Sequence, residues 1–292
     1  MSETLRTILA LCVDGISYGM ILFLISSGLA VTLGLMRVVN LAHGAFAMVG
    51  GYVALASTRH FGTDFVSSLL IGVIATAALG AVLEKTLYQW VYQVNELGQM
   101  LMTLGLTFIV ISLVTFFYDT STHTLPVPTL LAGSIEFGGV IVSKYRSALV
   151  LVACAILLFL WFVIERTDFG MRLRASVDNP NMARAVGIDV ARIFTITMTA
   201  GCALAAIGGI LGTEWLALQP FYPLKYLVPV LTVVAVGGLG SLKGTFIAAL
   251  VLGLGDTFGR YFLEVGGGFL IYALMGVFLV SRPRGLFARR QP

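Results

Sequence analysis

The sequence predicts an all-α protein, a polytopic transmembrane bundle with about eight to ten membrane segments. Of its 292 residues, 58% are hydrophobic and only 11% are charged, whereas a soluble domain carries about 25% charged residues. Residues 97–118 and 193–213 contain no Asp, Glu, Lys or Arg, and about 20 such residues suffice to cross the hydrocarbon layer. One stretch of this kind fits the core of a soluble protein, but several in one chain favour a membrane protein.

Hydropathy and the spacing of charges divide the chain into nine candidate membrane segments. They are residues 7–36, 38–58, 66–83, 97–118, 147–164, 193–213, 226–242, 244–259 and 266–281. The first is long enough to be broken or strongly tilted. The seventh and eighth meet at the glycine-rich stretch 237–244, which disfavours a continuous helix. Some segments are therefore expected to be broken or of half length, within one transmembrane domain formed by residues 1–292.

The distribution of Lys and Arg predicts the orientation in the membrane, because cytoplasmic loops carry an excess of both. The segment 165–192 contains five arginines, and the last eleven residues contain four more, Arg282, Arg284, Arg289 and Arg290. We therefore expect both regions to be cytoplasmic and the segment 119–146 to be periplasmic. Weak alternation over 135–142 indicates a short hairpin in that periplasmic segment, and a loose connector is the alternative. The side of the N-terminus depends on whether the first segment crosses once or twice.

The sequence indicates no enzymatic site of its own. His43, His60 and His123 show no metal-ligand spacing. The glycine-rich stretch has Leu242 before Lys243 and Gly244 after it, so it lacks the phosphate-binding pattern that requires Gly before the Lys and Ser or Thr after it. We therefore expect no metal, no cofactor and no ATP site in this chain. Because the basic residues lie at membrane boundaries, the positive charge does not indicate nucleic-acid binding.

The segment 165–192 carries the signals of a short helix. Asn179 is a natural N-cap, Pro180 suits the first helical position, and Gly187 is a natural stop. A capped helix on the cytoplasmic side could dock into a groove on a partner. An ordinary positively charged loop would also explain the arginines, and the residues alone leave both interpretations open.

Two further stretches are candidates for lining a pathway. Asn40 and His43 are three residues apart and share one face of a helix, and polar groups in a membrane segment usually face protein or water. Packing within the protein is the alternative role for both. The glycine-rich break is the second candidate, because non-helical backbone at membrane depth survives only against protein or a water-filled cavity. The candidate pathway residues are Asn40, His43, Gly44, Gly237, Gly238, Gly240 and Ser241.

These stretches also carry a family resemblance that covers nearly the whole chain. The matching pieces are 40–44 (NLAHG), 172–175 (RLRA) with Asn179, 185–188 (AVGI), 237–241 (GGLGS) and 281–287 (SRPRGLF). Together they resemble the permeases of high-affinity branched-chain amino acid ABC importers, specifically the H-type subunit. The resemblance implies a bacterial inner-membrane protein that works by alternating access. It also implies a second, homologous permease, two ATPase subunits that bind ATP and Mg, and a periplasmic substrate-binding protein.

The resemblance gives the segment 165–192 a role that the residues alone left open. In such permeases the matching segment couples the membrane domain to an ATPase. The residues that it assigns to coupling here are Arg172, Arg174, Ala175, Asn179, Arg184, Ala185 and Gly187. Two alternatives remain, a urea or amide permease of the same family and a secondary transporter driven by an ion gradient.

Overall fold

The computed structural model describes residues 3–36, 38, 40–137, 140–263, 267–282 and 285–287. The helices are α1 Glu3–Leu35, α2 His43–Phe61, α3 Phe65–Leu83, α4 Gln89–Val91, α5 Glu96–Tyr118, α6 Lys144–Arg166, α7 Asp168–Asp178, α8 Pro180–Ala185, α9 Val190–Leu211, α10 Tyr222–Gly237, α11 Leu242–Phe262 and α12 Leu270–Ser281. A π-helix, Glu84–Tyr88, joins α3 to α4, and two strands, β1 Ser134–Phe137 and β2 Val140–Ser143, form a hairpin. Arg284, Arg289 and Arg290 of the predicted cytoplasmic tail lie outside the described residues.

The predicted all-α membrane bundle is confirmed. Among the described residues, six helical stretches are long and apolar enough to span a membrane: 4–34, 65–91, 96–118, 144–166, 190–214 and 242–262. Helices α2, α10 and α12, of 19, 16 and 12 residues, correspond to the other three predicted segments. Nine charge-poor stretches in the sequence therefore correspond to nine helices, of which α10 and α12 are the shortest.

Helix α1 is the longest element and runs through the bundle without a break. Its 33 residues form one helix, so the first segment crosses once. Near its start Asp14 forms an ion pair with Arg146 at the beginning of α6. Near its end Val31 belongs to one apolar cluster with Ile164 at the end of α6. The two helices are therefore parallel, and the N-terminal part of α1 lies at the opposite end of the bundle from the segment 165–192.

The connection between α1 and α2 turns back into the bundle. His43, the first residue of α2, donates a hydrogen bond from Nε2 to the carbonyl oxygen of Ile25 at 2.8 Å. Ile25 lies ten residues before Leu35, the end of α1, a distance of about 15 Å along a helix. Helix α2 therefore begins well inside the bundle, where non-helical backbone needs internal partners. Thr103 of α5 supplies one, because its hydroxyl accepts the Leu41 N–H at 3.1 Å.

The segment 119–146 contains the predicted hairpin. β1 and β2 are antiparallel, with Ser134 opposite Ser143 and Phe137 opposite Val140, and α6 follows directly. The hairpin therefore lies at the same end of the bundle as Asp14. The coil before it is fixed by a backbone bridge in which His123 and Leu218 exchange hydrogen bonds of 2.8 and 2.9 Å.

The glycine-rich turn between α10 and α11 lies at one end of the bundle and not at mid-depth. A Cβ atom on Gly34, near the end of α1, would collide with the backbone of Gly240. Gly240 also shares a cavity with Glu165 and Arg166 at the end of α6. Gly238 and Gly240 have φ values of 94° and 79°, which favour glycine. The turn is therefore an irregular segment on the face that carries residues 165–192, in contrast to the expectation of broken backbone within the membrane.

Candidate coupling segment and membrane pathway

The predicted coupling segment forms two helices, α7 and α8, that pack against the end of the bundle. Leu173 and Ser176 of α7 are fully buried, and Leu173 joins Val31, Ile164 and Ile193 in a small apolar cluster. The outward face of α7 is mostly polar, with an exposed Arg172, although Met171 is also 58% exposed. The segment is therefore amphipathic and attached firmly to α1, α6 and α9.

Two contacts fix the sharp corner between α6 and α7. Arg174 donates a hydrogen bond from Nη1 to the carbonyl oxygen of Ile164 at 2.7 Å, which satisfies a carbonyl in the last turn of α6. Gly170 lies so close to the same carbonyl that a Cβ atom would collide with it. Arg174 is thus half-buried and structural, and Ala175, the next residue of α7, is also half-buried. Neither side chain is presented fully to solvent.

Helix α8 has the caps that the sequence predicts. The Asn179 side-chain oxygen accepts the Met182 N–H at 3.0 Å, and Pro180 follows as the first helical residue. Gly187 ends the helix with a φ of 85°, and its N–H donates to the Arg184 carbonyl at 3.0 Å. Arg184 and Ala185 are exposed, whereas Ala183 is buried beneath them. The helix therefore forms a small, well-defined projection.

The tip of α8 is apolar, a feature that the motif-based prediction missed. Met182 is 61% exposed and Val186 is 70% exposed. They lie four residues apart, Met182 in the helix and Val186 at its C-cap, and so point to the same side of α8. The caps at Asn179 and Gly187 fix the helical frame, and counting four residues from Met182 would have identified this pair from the sequence. Exposed apolar side chains on a rigid projection are typical of a contact surface.

Asn40 and His43 lie together at the buried connection between α1 and α2. Each is 1% exposed. The Asn40 side-chain oxygen accepts the Ala42 N–H at 3.0 Å and the Tyr88 hydroxyl at 2.9 Å. Gly44 follows at the start of α2, and a Cβ atom there would press on Pro223 at 3.1 Å. The starts of α2 and α10 therefore meet inside the bundle.

Several polar atoms around this point have no hydrogen-bond partner among the described residues. They are Asn40 Nδ2, His43 Nδ1 and Tyr222 Oη. Because the Ile25 carbonyl can only accept, His43 carries its proton on Nε2, and neutral His43 has an acceptor free at Nδ1. Unsatisfied buried polar atoms cost free energy, so this region is where a polar group or water entering the bundle would find partners.

The glycine-rich group is separate from Asn40 and His43. Gly237 packs against Gly244, so that a Cβ atom on Gly237 would lie 2.5 Å from the Thr245 nitrogen. Ser241 caps α11, with its hydroxyl accepting the Gly244 N–H at 3.1 Å. The predicted pathway residues therefore form two groups, one inside the bundle and one beside the coupling segment. Within the described residues, no three His, Cys, Asp or Glu side chains are grouped as metal ligands.

Comparison with known proteins assigns this arrangement to a family. The family model described as "Branched-chain amino acid transport system / permease component" matches residues 11–280. The chain belongs to this permease family. The match begins within α1 and ends within α12, so it includes the coupling segment, both groups of candidate pathway residues and helices α2 to α11 in full.

Named relatives extend the match to whole chains. The permease protein BraD of Pseudomonas aeruginosa is 27% identical over 95% of this chain and 94% of its own. LivH of Escherichia coli is 25% identical over 99% of this chain and 98% of its own. Both are named permease proteins of high-affinity branched-chain amino acid transport systems. LivM of Escherichia coli, named in the same way, is 26% identical over 96% of this chain but only 71% of its own.

Proposed function

We propose that this chain is the membrane-spanning subunit of an ABC importer that moves branched-chain amino acids across the bacterial inner membrane. The observation that carries the proposal is the family match over residues 11–280, together with full-length relatives named for this transport. The chain binds no ATP in this scheme; partner subunits bind ATP and Mg and hydrolyse the nucleotide. Branched-chain cargo is favoured over urea or other amides because the relatives carry that name.

The proposed assembly pairs this chain with a second permease. Its length agrees with LivH, and it covers a smaller part of LivM. Escherichia coli has both proteins, and we infer that this chain takes the LivH position beside a LivM-like partner. A periplasmic binding protein delivers the amino acid to the end that carries the hairpin, and two ATPases act at the other end.

The proposed coupling element is the apolar tip of α8. Met182 and Val186 insert into a groove on an ATPase, and exposed Arg172, Arg184 and Ala185 surround them. Arg174, Asn179 and Gly187 keep the element rigid, so that motion of the ATPase moves the attached ends of α1, α6 and α9. This role favours an ABC permease, because an ion-driven transporter does not couple to an ATPase through such a projection.

The proposed membrane pathway passes the point where α2 and α10 begin. Asn40 and His43 offer unsatisfied polar atoms there, and the amides at a helix start favour a carboxylate. A site of this kind suits the polar end of an amino acid in alternating access. The group Gly237, Gly238, Gly240 and Ser241 would act at the cytoplasmic mouth of the pathway.

Uptake in a strain that lacks the gene tests the proposal. We expect loss of radiolabelled leucine, isoleucine and valine uptake, restored by the wild-type chain, with no change in uptake of urea or acetamide. ATP hydrolysis should co-purify with a tag on this chain from native membranes. Leucine uptake by the purified chain alone in liposomes under an ion gradient would contradict the ABC assignment, and gene-dependent urea uptake would contradict the cargo.

A further inference from the structure

A cavity of about 500 Å³ separates the coupling helix from the transmembrane helices. Pro180 and Arg184 of α8 form one wall, and Glu84 in the π-helix forms another. Val190 and Phe194 of α9 close a third side. The cavity belongs to neither group of candidate pathway residues. It lies where any ligand would touch both the coupling helix and the bundle.

Glu84 is the unusual residue of this cavity. It is 2% exposed, and the Tyr92 hydroxyl donates to its Oε2 at 2.5 Å. In the part of the chain that the structure describes, its other oxygen has no hydrogen-bond partner, and no Lys or Arg forms an ion pair with it. A buried carboxylate without a cation is costly in a membrane protein and often functional. Its placement in a π-helix fits this, because such turns are frequent at functional sites.

The other walls supply what a zwitterion with an apolar side chain needs. Arg184 is held by Asn181, to whose side-chain oxygen it donates from Nη1 at 3.3 Å, and its guanidinium suits a carboxylate. Val38 and Val190 are buried apolar residues of the lining. The Phe194 ring packs edge-on against the Tyr92 ring at 5.5 Å. The Glu84 carboxylate, the Arg184 guanidinium and a set of apolar side chains thus line the same cavity.

We propose that this cavity binds an apolar α-amino acid from the cytoplasm, with its ammonium at Glu84 and its carboxylate at Arg184. The proposal rests on the proposed function, which makes this face cytoplasmic. The bound amino acid contacts α8 and the transmembrane helices at once and holds the coupling helix in place. It thereby slows ATP-driven import when cytoplasmic amino acid is abundant, as product feedback at a second site.

The binding test uses the purified full-length chain in lipid nanodiscs and three probes. L-leucine carries both charges, isocaproate lacks the ammonium, and isoamylamine lacks the carboxylate. Leucine should bind at least about tenfold more tightly than either analogue, the loss expected for one charged hydrogen bond. Glu84→Gln should weaken leucine binding by a similar factor and leave the affinity for isocaproate unchanged. Arg184→Gln should leave the affinity for isoamylamine unchanged. Glu96→Gln, which alters an exposed acid at the start of α5, is the matched control and should change nothing.

The feedback test uses inside-out vesicles that contain the whole transporter. Leucine added to the exposed cytoplasmic face should inhibit ATP hydrolysis by the wild type and the Glu96→Gln variant, but not by Glu84→Gln. The proposal would be overturned if the affinity for leucine were the same in the wild type, Glu84→Gln and Arg184→Gln. It would also be overturned if leucine still inhibited ATP hydrolysis by Glu84→Gln. Leucine uptake by intact cells is measured alongside. If either of those results is found while leucine uptake is normal, only the cavity proposal is refuted. If cells show no gene-dependent leucine uptake, the proposed function is refuted.

Discussion

The proposed docking of α8 gives a quantitative prediction at Val186. Its side chain is 70% exposed, and full burial of a Val side chain is worth about 1.5–3 kcal/mol. Docking would bury the remaining surface and contribute about 1–2 kcal/mol by the same measure. Val186→Asp loses this contribution and also places a carboxylate in an apolar groove. We therefore expect the ATPase to bind at least about tenfold more weakly.

The assay is titration of the ATPase onto the permease complex in nanodiscs, with leucine uptake by cells as the functional measure. Thermal stability of the permease itself should hardly change, because substitutions of exposed residues usually shift stability by less than about 0.5 kcal/mol. Val127→Asp is the control, since Val127 is also exposed but lies in the segment 119–146 at the other end of the bundle. Unchanged ATPase affinity in Val186→Asp would refute the docking role of α8.

Three further predictions concern the elements around the site. Gly34→Ala should lower the thermal midpoint of unfolding, because the added Cβ would collide with the Gly240 backbone and overpacking costs about 1–3 kcal/mol. The control Gly105→Ala should not lower it, because the space around Gly105 is open. Equal midpoints for the two variants would refute the close approach of Gly34 and Gly240. Asn179→Ala should reduce coupled ATP hydrolysis by loosening α8, and Asn179→Asp, which also caps, should restore it; failure of this rescue would contradict the capping role. Hydrogen bonds from the Ser67 hydroxyl and from backbone amides lower the pKa of Asp64, so its contribution to stability is present above the ordinary Asp pKa and lost as pH falls through the lowered pKa. The difference in thermal midpoint between wild type and Asp64→Ala should therefore shrink on acidification below about pH 4, and a constant difference would argue against the cap.

The sequence is informative about the elements of this fold because their signals are local. Charge-poor stretches predicted nine membrane segments, and nine helices follow them closely. The cap at Asn179 and the stop at Gly187 each depend on one residue and its neighbours, and both are confirmed. The hairpin at 134–143 could also be predicted from alternation.

Depth in the bundle could not be predicted in the same way. Asn40 was expected to share a helix face with His43, and the glycine-rich turn was expected to be broken backbone within the membrane. Instead, Asn40 lies in the connection before α2, deep in the bundle, and the turn lies at one end of the bundle. The difference depends on partners distant in sequence, Ile25 and Thr103 in one case and Gly34 in the other. Glu84 was missed for the same reason, because nothing near it in sequence indicates that it lines a cavity beside α8 and α9.

The contact between Gly34 and Gly240 has a mechanical consequence. With no side chain between the two backbones, the end of α1 cannot shift inward unless the turn between α10 and α11 shifts with it. Helix α1 is unbroken from there to the Asp14–Arg146 pair, a span of about 30 Å at 1.5 Å per residue. A displacement of this end of α1 is therefore transmitted along one unbroken helix to the end of the bundle that carries the Asp14–Arg146 pair.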